Sequence, residues 1–177
     1  MYPDTDKQLT YQTEDTVYFF THALDPLSNW SAHAVELWGQ VFPTVEHGFQ
    51  WRKFAQSEPD IASAILRAPS PWAVIQLKKT IGDGKMPADW HERRVGVMEE
   101  LLRAKAAQHE DVRDCLRKTG SRNIVENSPV DTFWGCGPHG DGQNTMGVLW
   151  MKIRRSYRER KNKAHQRLNS DHTGRTR

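Results

Sequence analysis

Cysteine is nearly missing from this chain: Cys115 and Cys136 are the two in 177 residues, too few for a disulfide framework or a thiolate metal site. Long hydrophobic runs are missing too. The opening Met1-Tyr2-Pro3-Asp4-Thr5-Asp6-Lys7 has neither a basic stretch nor an apolar one, so neither export nor membrane insertion is expected, and the cytoplasm is the expected compartment. The eight histidines are scattered, and none forms a helical pair at ligand spacing. His139 and Asp141 are the nearest approach to a ligand set, and no metal is expected. The Gly-Lys-Ser/Thr ending of a Walker loop is also lacking, which excludes P-loop chemistry.

What is present fits one domain of 20.4 kDa with a sizeable core. Its net charge of +3 is unevenly spread: ten Lys/Arg against two Asp/Glu from Lys152 onward give +8 there and leave −5 for the rest. The pattern divides the chain into a flexible segment 1–16, a folded domain 17–157, and a basic tail 158–177 expected to be disordered. Such a tail is either a plain solvated end or a non-specific contact for DNA phosphates.

The folded part reads as α+β, a single, predominantly helical domain with a small β-sheet. Val17-Tyr18-Phe19-Phe20 has strand composition, and His33 to Phe42 alternates like a hairpin around Gly39-Gln40. Thr44 caps a helix from Val45. Ser57 with Pro59, and Ser70 with Pro71, open two more, the second stopped by Gly82. Asp89, with Glu92 in a capping box, opens the longest helix, burying Val97, Met98, Leu101 and Leu102. A further helix runs from His109 to Thr119, Ile124-Val125 forms a brief strand, and Met146, Leu149, Trp150, Ile153 and Tyr157 make one stripe of a last helix.

Two stretches stand out chemically. Glu46, Gln50 and Lys53 fall at i, i+4 and i+7, so a carboxylate, an amide and an amine share one helical face, and the helix N-terminus should keep Glu46 ionised. An ordinary solvated Glu/Lys face would show the same spacing. From Ser128, a loop carries Asp131, Phe133-Trp134 and glycines at 135, 137, 140, 142 and 147. Close backbone approach at those glycines and the N-terminus of the following helix suit a phosphate. Asp131 is either a turn residue or a second carboxylate opposite Glu46. Asn29 with Trp30, and Trp90 with Arg93 one turn on, are candidates for stacking a ring and meeting an anion. Taken alone, each is more commonly a turn, a staple or core.

Taken together, these blocks resemble the NADAR family, whose members are associated with NAD and ADP-ribose. The resemblance runs from about Tyr18 to Arg154 and is carried by Pro26-Leu27-Ser28-Asn29-Trp30, by Phe42-Pro43-Thr44-Val45-Glu46-His47 with Gln50 and Lys53-Phe54, by Asp89-Trp90 with Arg93 and Met98, by Leu102-Arg103-Ala104-Lys105, Thr119-Gly120 and Val125-Glu126, and by Ser128 to Gly135 with Asn144 and Gly147. Gly48 and Trp51-Arg52 depart from the usual block. The resemblance implies an N-glycosyl hydrolase, without metal or redox cofactor, acting on an ADP-ribosyl or phosphoribosyl substrate. Its two substrate groups are ADP-ribose on guanine, in toxin–antitoxin settings that would supply a toxin partner, and the ribosylamino-pyrimidine phosphates of riboflavin synthesis. The +8 segment from Lys152 onward gives the first slightly more weight; a non-catalytic ADP-ribose or NAD sensor is the alternative of another class.

Carried over residue by residue, the family's motif glutamate, aspartate and lysine fall on Glu46, Asp131 and Lys53. Glu46 would stabilise the ribosyl cation, and Asp131 would activate water or protonate the leaving group. Lys53 would hold an oxygen or capture the opened sugar as a Schiff base. Trp30, Trp90 and Trp134 would wall the base, Asn29 and Gln50 bond the ribose, and Arg93 with Gly135, Asn144 and Gly147 take the phosphate.

Overall fold

A computed structural model describes residues 9–20, 25–81 and 85–173; Gly82, expected to stop a helix, lies outside them. Two small sheets come first. Strand β1 (Tyr11–Gln12) pairs antiparallel with β2 (Thr16–Phe19), and β2 pairs parallel with the distant β5 (Asn123–Glu126), Phe19 opposite Glu126. Strands β3 (Val35–Leu37) and β4 (Gln40–Phe42) form the expected hairpin. Its two turn residues, Trp38 and Gly39, both have positive φ, 53° and 73°, as a turn matching the strand twist requires. Trp38 tolerates that backbone with its ring stacked on Trp51, centroids 6.3 Å apart, and Arg52 above it.

Six helices carry most of the chain: α1 (Val45–Phe54), α2 (Pro59–Leu66), α3 (Pro71–Ile81), α4 (Trp90–Gln108), α5 (Glu110–Lys118) and α6 (Thr145–Thr173). Thr44 caps α1 as its sequence implies, accepting from the His47 backbone N–H. Two other caps differ. Glu58, not Ser57, precedes α2, because Pro59 forces the residue before it out of helical geometry. Asp89 stands at the N-cap of α4 without capping it; its carboxylate is drawn to Arg93, 2.9 Å away, so the capping box with Glu92 does not form. The longest helix is α6, not α4. It continues past the end placed at Tyr157, because Arg, Glu, Lys, Ala and Gln from 158 onward are strong helix formers even with no apolar stripe to bury. Side chains 158–163 are all exposed.

The core lies where α4 meets α1, α6 and β5. Met98, Leu101 and Leu102 pack with Val45, Phe49, Trp150, Ile153, Ile124 and Phe19, and a smaller cluster of Phe54, Ala62, Ile65 and Val74 joins α1, α2 and α3. Two glycines set how closely these layers approach. A Cβ on Gly48 would stand 2.6 Å from Leu101 Cδ2, and one on Gly147 would stand 2.0 Å from the Ile124 carbonyl oxygen. Thus α1 sits directly on α4, and α6 directly on β5.

Candidate functional site

Helix α1 is the floor of a cavity of about 420 Å³. Its Glu46, Gln50 and Lys53 line that cavity together and are each 5 % exposed or less, so the row at i, i+4, i+7 is an inward face and not a solvated one. Phe49, the neighbour of Gln50 on α1, lines it as well, with its ring 5.0 Å from Trp90 and 5.5 Å from Trp134.

Glu46 is held at both oxygens. Asn29 Nδ2 donates to Oε2 at 2.6 Å and Gln50 Nε2 to Oε1 at 2.8 Å. Burial pushes its pKa up; the Gln50 hydrogen bond, the Lys78 ammonium and the Asn29 hydrogen bond oppose the shift, and Asp131 adds to it. Burial thus opposes the ionisation that the helix N-terminus and the two amide donors favour. Asn29 and Gln50, expected to meet ribose hydroxyls, spend a donor each on the carboxylate. Gln50 Oε1 is buried without a hydrogen-bond partner among the described residues.

The segment carrying Asn29 and Trp30 is fastened from behind. The Asn29 carbonyl accepts the Glu46 N–H at 3.0 Å, and Trp150 Nε1 donates to the Leu27 carbonyl at 2.9 Å. Lys105, fully buried in α4, donates to the Ser28 carbonyl at 2.8 Å and to Ser31 Oγ at 2.6 Å, and burial lowers its pKa to about 7. His47, beside Glu46 in α1, is kept neutral by burial: Nε2 donates to the Ala68 carbonyl, and Thr44 Oγ1 bonds Nδ1.

Asp131 reaches the same cavity from the loop after β5, so the structure brings together the carboxylates at 46 and 131 and the amine at 53. Asp131 is a turn residue as well, its Oδ1 accepting from the Phe133 and Trp134 N–H groups at 2.8 and 2.7 Å. Trp30, Trp90 and Trp134 all line the cavity.

The residues expected to meet an anion do not line the cavity. Arg93 is paired with Asp89 and does not line the cavity, whereas Arg94 does, its guanidinium 3.6 Å from the Phe133 ring centroid. Trp90, Arg94 and Met98 repeat every four residues on the inner face of α4, a periodicity that pointed to 94 over 93. Gly135, Asn144 and Gly147 lie behind the wall. Asn144 bridges to β5, Oδ1 accepting the Glu126 N–H and Nδ2 donating to the Ile124 carbonyl. The first N–H groups of α6 are spent within the protein, Thr145 and Met146 donating to Phe133 and Trp134. The glycine-rich loop is therefore a packing device.

Besides Arg94, three titratable cavity residues had no role expected from the sequence: Lys78, His91 and Glu126. Lys78 and His91 had no periodic signal. Glu126 did, since it shares a strand face with the fully buried Ile124, and a carboxylate on a core-facing position is unusual. It is 7 % exposed, and burial, then Asp131 and Glu46, raise its pKa to about 8.

The chain also matches known proteins. N-glycosidase Npun_R5314 of Nostoc punctiforme is 34% identical over 81% of this chain and 93% of that protein. N-glycosidase YbiA of Escherichia coli is 31% identical over 86% and 95%, and its NMR structure superposes with a TM-score of 0.72 at 28% identity, covering 88% of this chain and 92% of that one. The chloroplastic riboflavin biosynthesis protein PYRR of Zea mays is 29% identical over 86% of this chain, a match spanning 27% of that longer protein. With the NADAR domain matched over residues 12–158, nearly the whole described fold and every wall of the cavity, the chain belongs to the NADAR family.

Proposed function

We propose that this N-glycosidase hydrolyses the ribose–nitrogen bond of a phosphorylated ribosylamino heterocycle, of the kind met in riboflavin synthesis. The observation that carries the reading is the meeting of Glu46, Asp131 and Lys53 in one cavity of about 420 Å³ walled by Trp30, Trp90 and Trp134. That volume lies in the range of small-molecule sites. Lys78 and Arg94, on α3 and α4, supply positive charge for a phosphate. The likeness to a riboflavin biosynthesis protein, over 27% of its length, supports a substrate from that synthesis.

Breaking a ribosyl C–N bond builds positive charge on the sugar and leaves an electron pair on nitrogen. Glu46, fixed by two amides, is positioned to face the sugar cation. A preorganised group of that kind is worth roughly 100- to 1,000-fold, about 2.7–4 kcal/mol. Asp131, anchored by two backbone N–H groups, orients and deprotonates the attacking water. Lys53 holds a ribose or phosphate oxygen. The aromatic walls stack the base.

A second reading, removal of ADP-ribose from guanine in DNA or nucleotides, is favoured by the +8 segment from Lys152 onward. One experiment separates the two. The full chain is incubated with a ribosylamino-pyrimidine phosphate and, separately, with ADP-ribosylated guanine DNA, and the released sugar is identified by mass spectrometry. Ribose phosphate from the first supports the principal reading; ADP-ribose from the second alone replaces it; neither product rejects both.

A further inference from the structure

The cavity holds a third carboxyl group that the mechanism above leaves unused, at the end of β5. We propose that Glu126 is the proton donor to the leaving nitrogen, held as a neutral carboxyl in the same cavity in which Glu46 acts as the carboxylate. The proposal rests on the N-riboside reading above and adds to it the residue that makes nitrogen able to leave.

The two buried glutamates differ in what surrounds them. Glu46 accepts one amide N–H at each oxygen and has the Lys78 ammonium near enough to favour its charge. Glu126 has no such support: Oε2 is buried without a hydrogen-bond partner among the described residues, and the charges that act on it, Asp131 and Glu46, are both negative. Three carboxyl groups sharing one cavity cannot all ionise cheaply, and the one with neither donors nor a cation keeps its proton. Burial and those two neighbours raise its pKa to about 8. Burial raises both acids, but Glu46 alone has hydrogen-bond donors and a cation that favour its charge, and that difference in surroundings divides the acid and base roles.

The other charged groups facing this space come from α1, α3, α4 and the loop after β5. They are Lys53, Lys78, His91 and Arg94, with Cys136, on which Glu126 itself acts, behind. The backbone at 126 is fixed at both ends, its N–H by Asn144 Oδ1 at 2.9 Å and its carbonyl by the Cys136 N–H at 2.9 Å. The backbone that carries the carboxyl group is therefore fixed in place.

The step balances. The C1′–N bond breaks with its electron pair on nitrogen, the Glu126 O–H proton goes to that nitrogen, and the amine departs neutral. Water adds to C1′ and its proton passes to Asp131. Glu126, left as a carboxylate between two others, regains a proton from solvent or from Asp131, so that one water is consumed for each bond cleaved.

The test uses the full chain, wild type and Glu126→Gln, on two substrates: a ribosylamino-pyrimidine phosphate, and a 4-nitrophenyl riboside phosphate whose leaving group departs without a proton. Glu126→Gln is expected to slow the first at least 100-fold and the second less than tenfold, and to abolish the fall in wild-type kcat/KM expected near pH 8. Equal losses on both substrates, or a wild-type rate on the first, overturn the proposal. An infrared difference spectrum of wild type minus Glu126→Gln is a measurement free of substrate: a protonated carboxyl band at pH 7 that vanishes by pH 10 is expected, and its absence at pH 7 refutes the assignment. Wild type that turns over neither substrate yet shows the band would instead count against the substrate reading.

Discussion

Glu46→Gln keeps the shape of the side chain and removes its charge, and the hydrogen bonds around it decide how the fold responds. The carboxylate accepts Asn29 Nδ2 at 2.6 Å and Gln50 Nε2 at 2.8 Å. An amide at 46 can accept only one of these, and its own NH2 would confront the other donor. Gln50 can resolve the clash by turning its amide over, because its Oε1 has no partner among the described residues to lose. The fold should then keep both bonds and shed a desolvated acid whose pKa burial had raised, so the melting temperature should be unchanged or higher. Chemistry has no such escape. Without the charge opposite the sugar cation, kcat should fall roughly 100- to 1,000-fold, about 2.7–4 kcal/mol, while ligand affinity stays within about tenfold, ~1.4 kcal/mol. Single-turnover release of ribose phosphate measures the first quantity and calorimetry with the substrate the second. A variant within tenfold of wild-type kcat would refute the role of Glu46, and loss of binding in step with turnover would make it a binding residue. Wild type that binds and never turns over would leave only the ligand sensor.

Three further outcomes are expected from the same geometry. An acid of ordinary pKa 4.5 raised to about 8 by folding loses its proton first in the unfolded chain, so its contribution to stability is complete below about pH 4.5 and is lost as pH rises to about 8; Glu126→Gln should be more stable than wild type by about 2–5 kcal/mol at pH 9 and not at pH 4.5, and urea titrations showing no such divergence would contradict the buried neutral acid. Arg94→Ala should raise KM for a phosphorylated substrate about tenfold or more, whereas Arg93→Ala, removing a half-exposed pair with Asp89, should leave KM within about twofold; the reverse ranking in initial-rate kinetics would restore Arg93. Deleting residues 158–177 should weaken activity on a modified oligonucleotide more than on the corresponding mononucleotide, and equal losses in parallel assays would remove the reason to consider DNA.

Most of the framework was legible because local rules decided it. The Thr44 cap, the hairpin around Gly39, the start at Pro71 and the α6 stripe all depend on neighbours in sequence. Glu46, Gln50 and Lys53 were legible as one face, but whether that face met water or the interior depended on α3, α4 and the loop after β5 lying over it, which spacing along α1 cannot report. The same limit applies to Glu46, where a helix end visible in sequence is opposed by burial that is not. The glycine-rich loop misled for a different reason. Glycine serves close packing as readily as ligand approach, and Gly147 is used against the Ile124 carbonyl. Glu126 shares a strand face with Ile124, a signal the sequence does carry, but that this face is interior depended on the parallel pairing with β2, which spacing along one strand cannot report.

A single helix carries a carboxylate, an amide and an amine across seven residues, a rise of about 10 Å, and so behaves as a graduated rod: the intervals between its marks are set by backbone geometry, while its height above the opposite wall is set by how far it can sink. Gly48 determines that height, resting on Leu101 where a methyl group would stand 2.6 Å from Cδ2. Narrowing the gap between the rod and Asp131 would therefore require no change to any acid or base, only one carbon atom on the far side of α1.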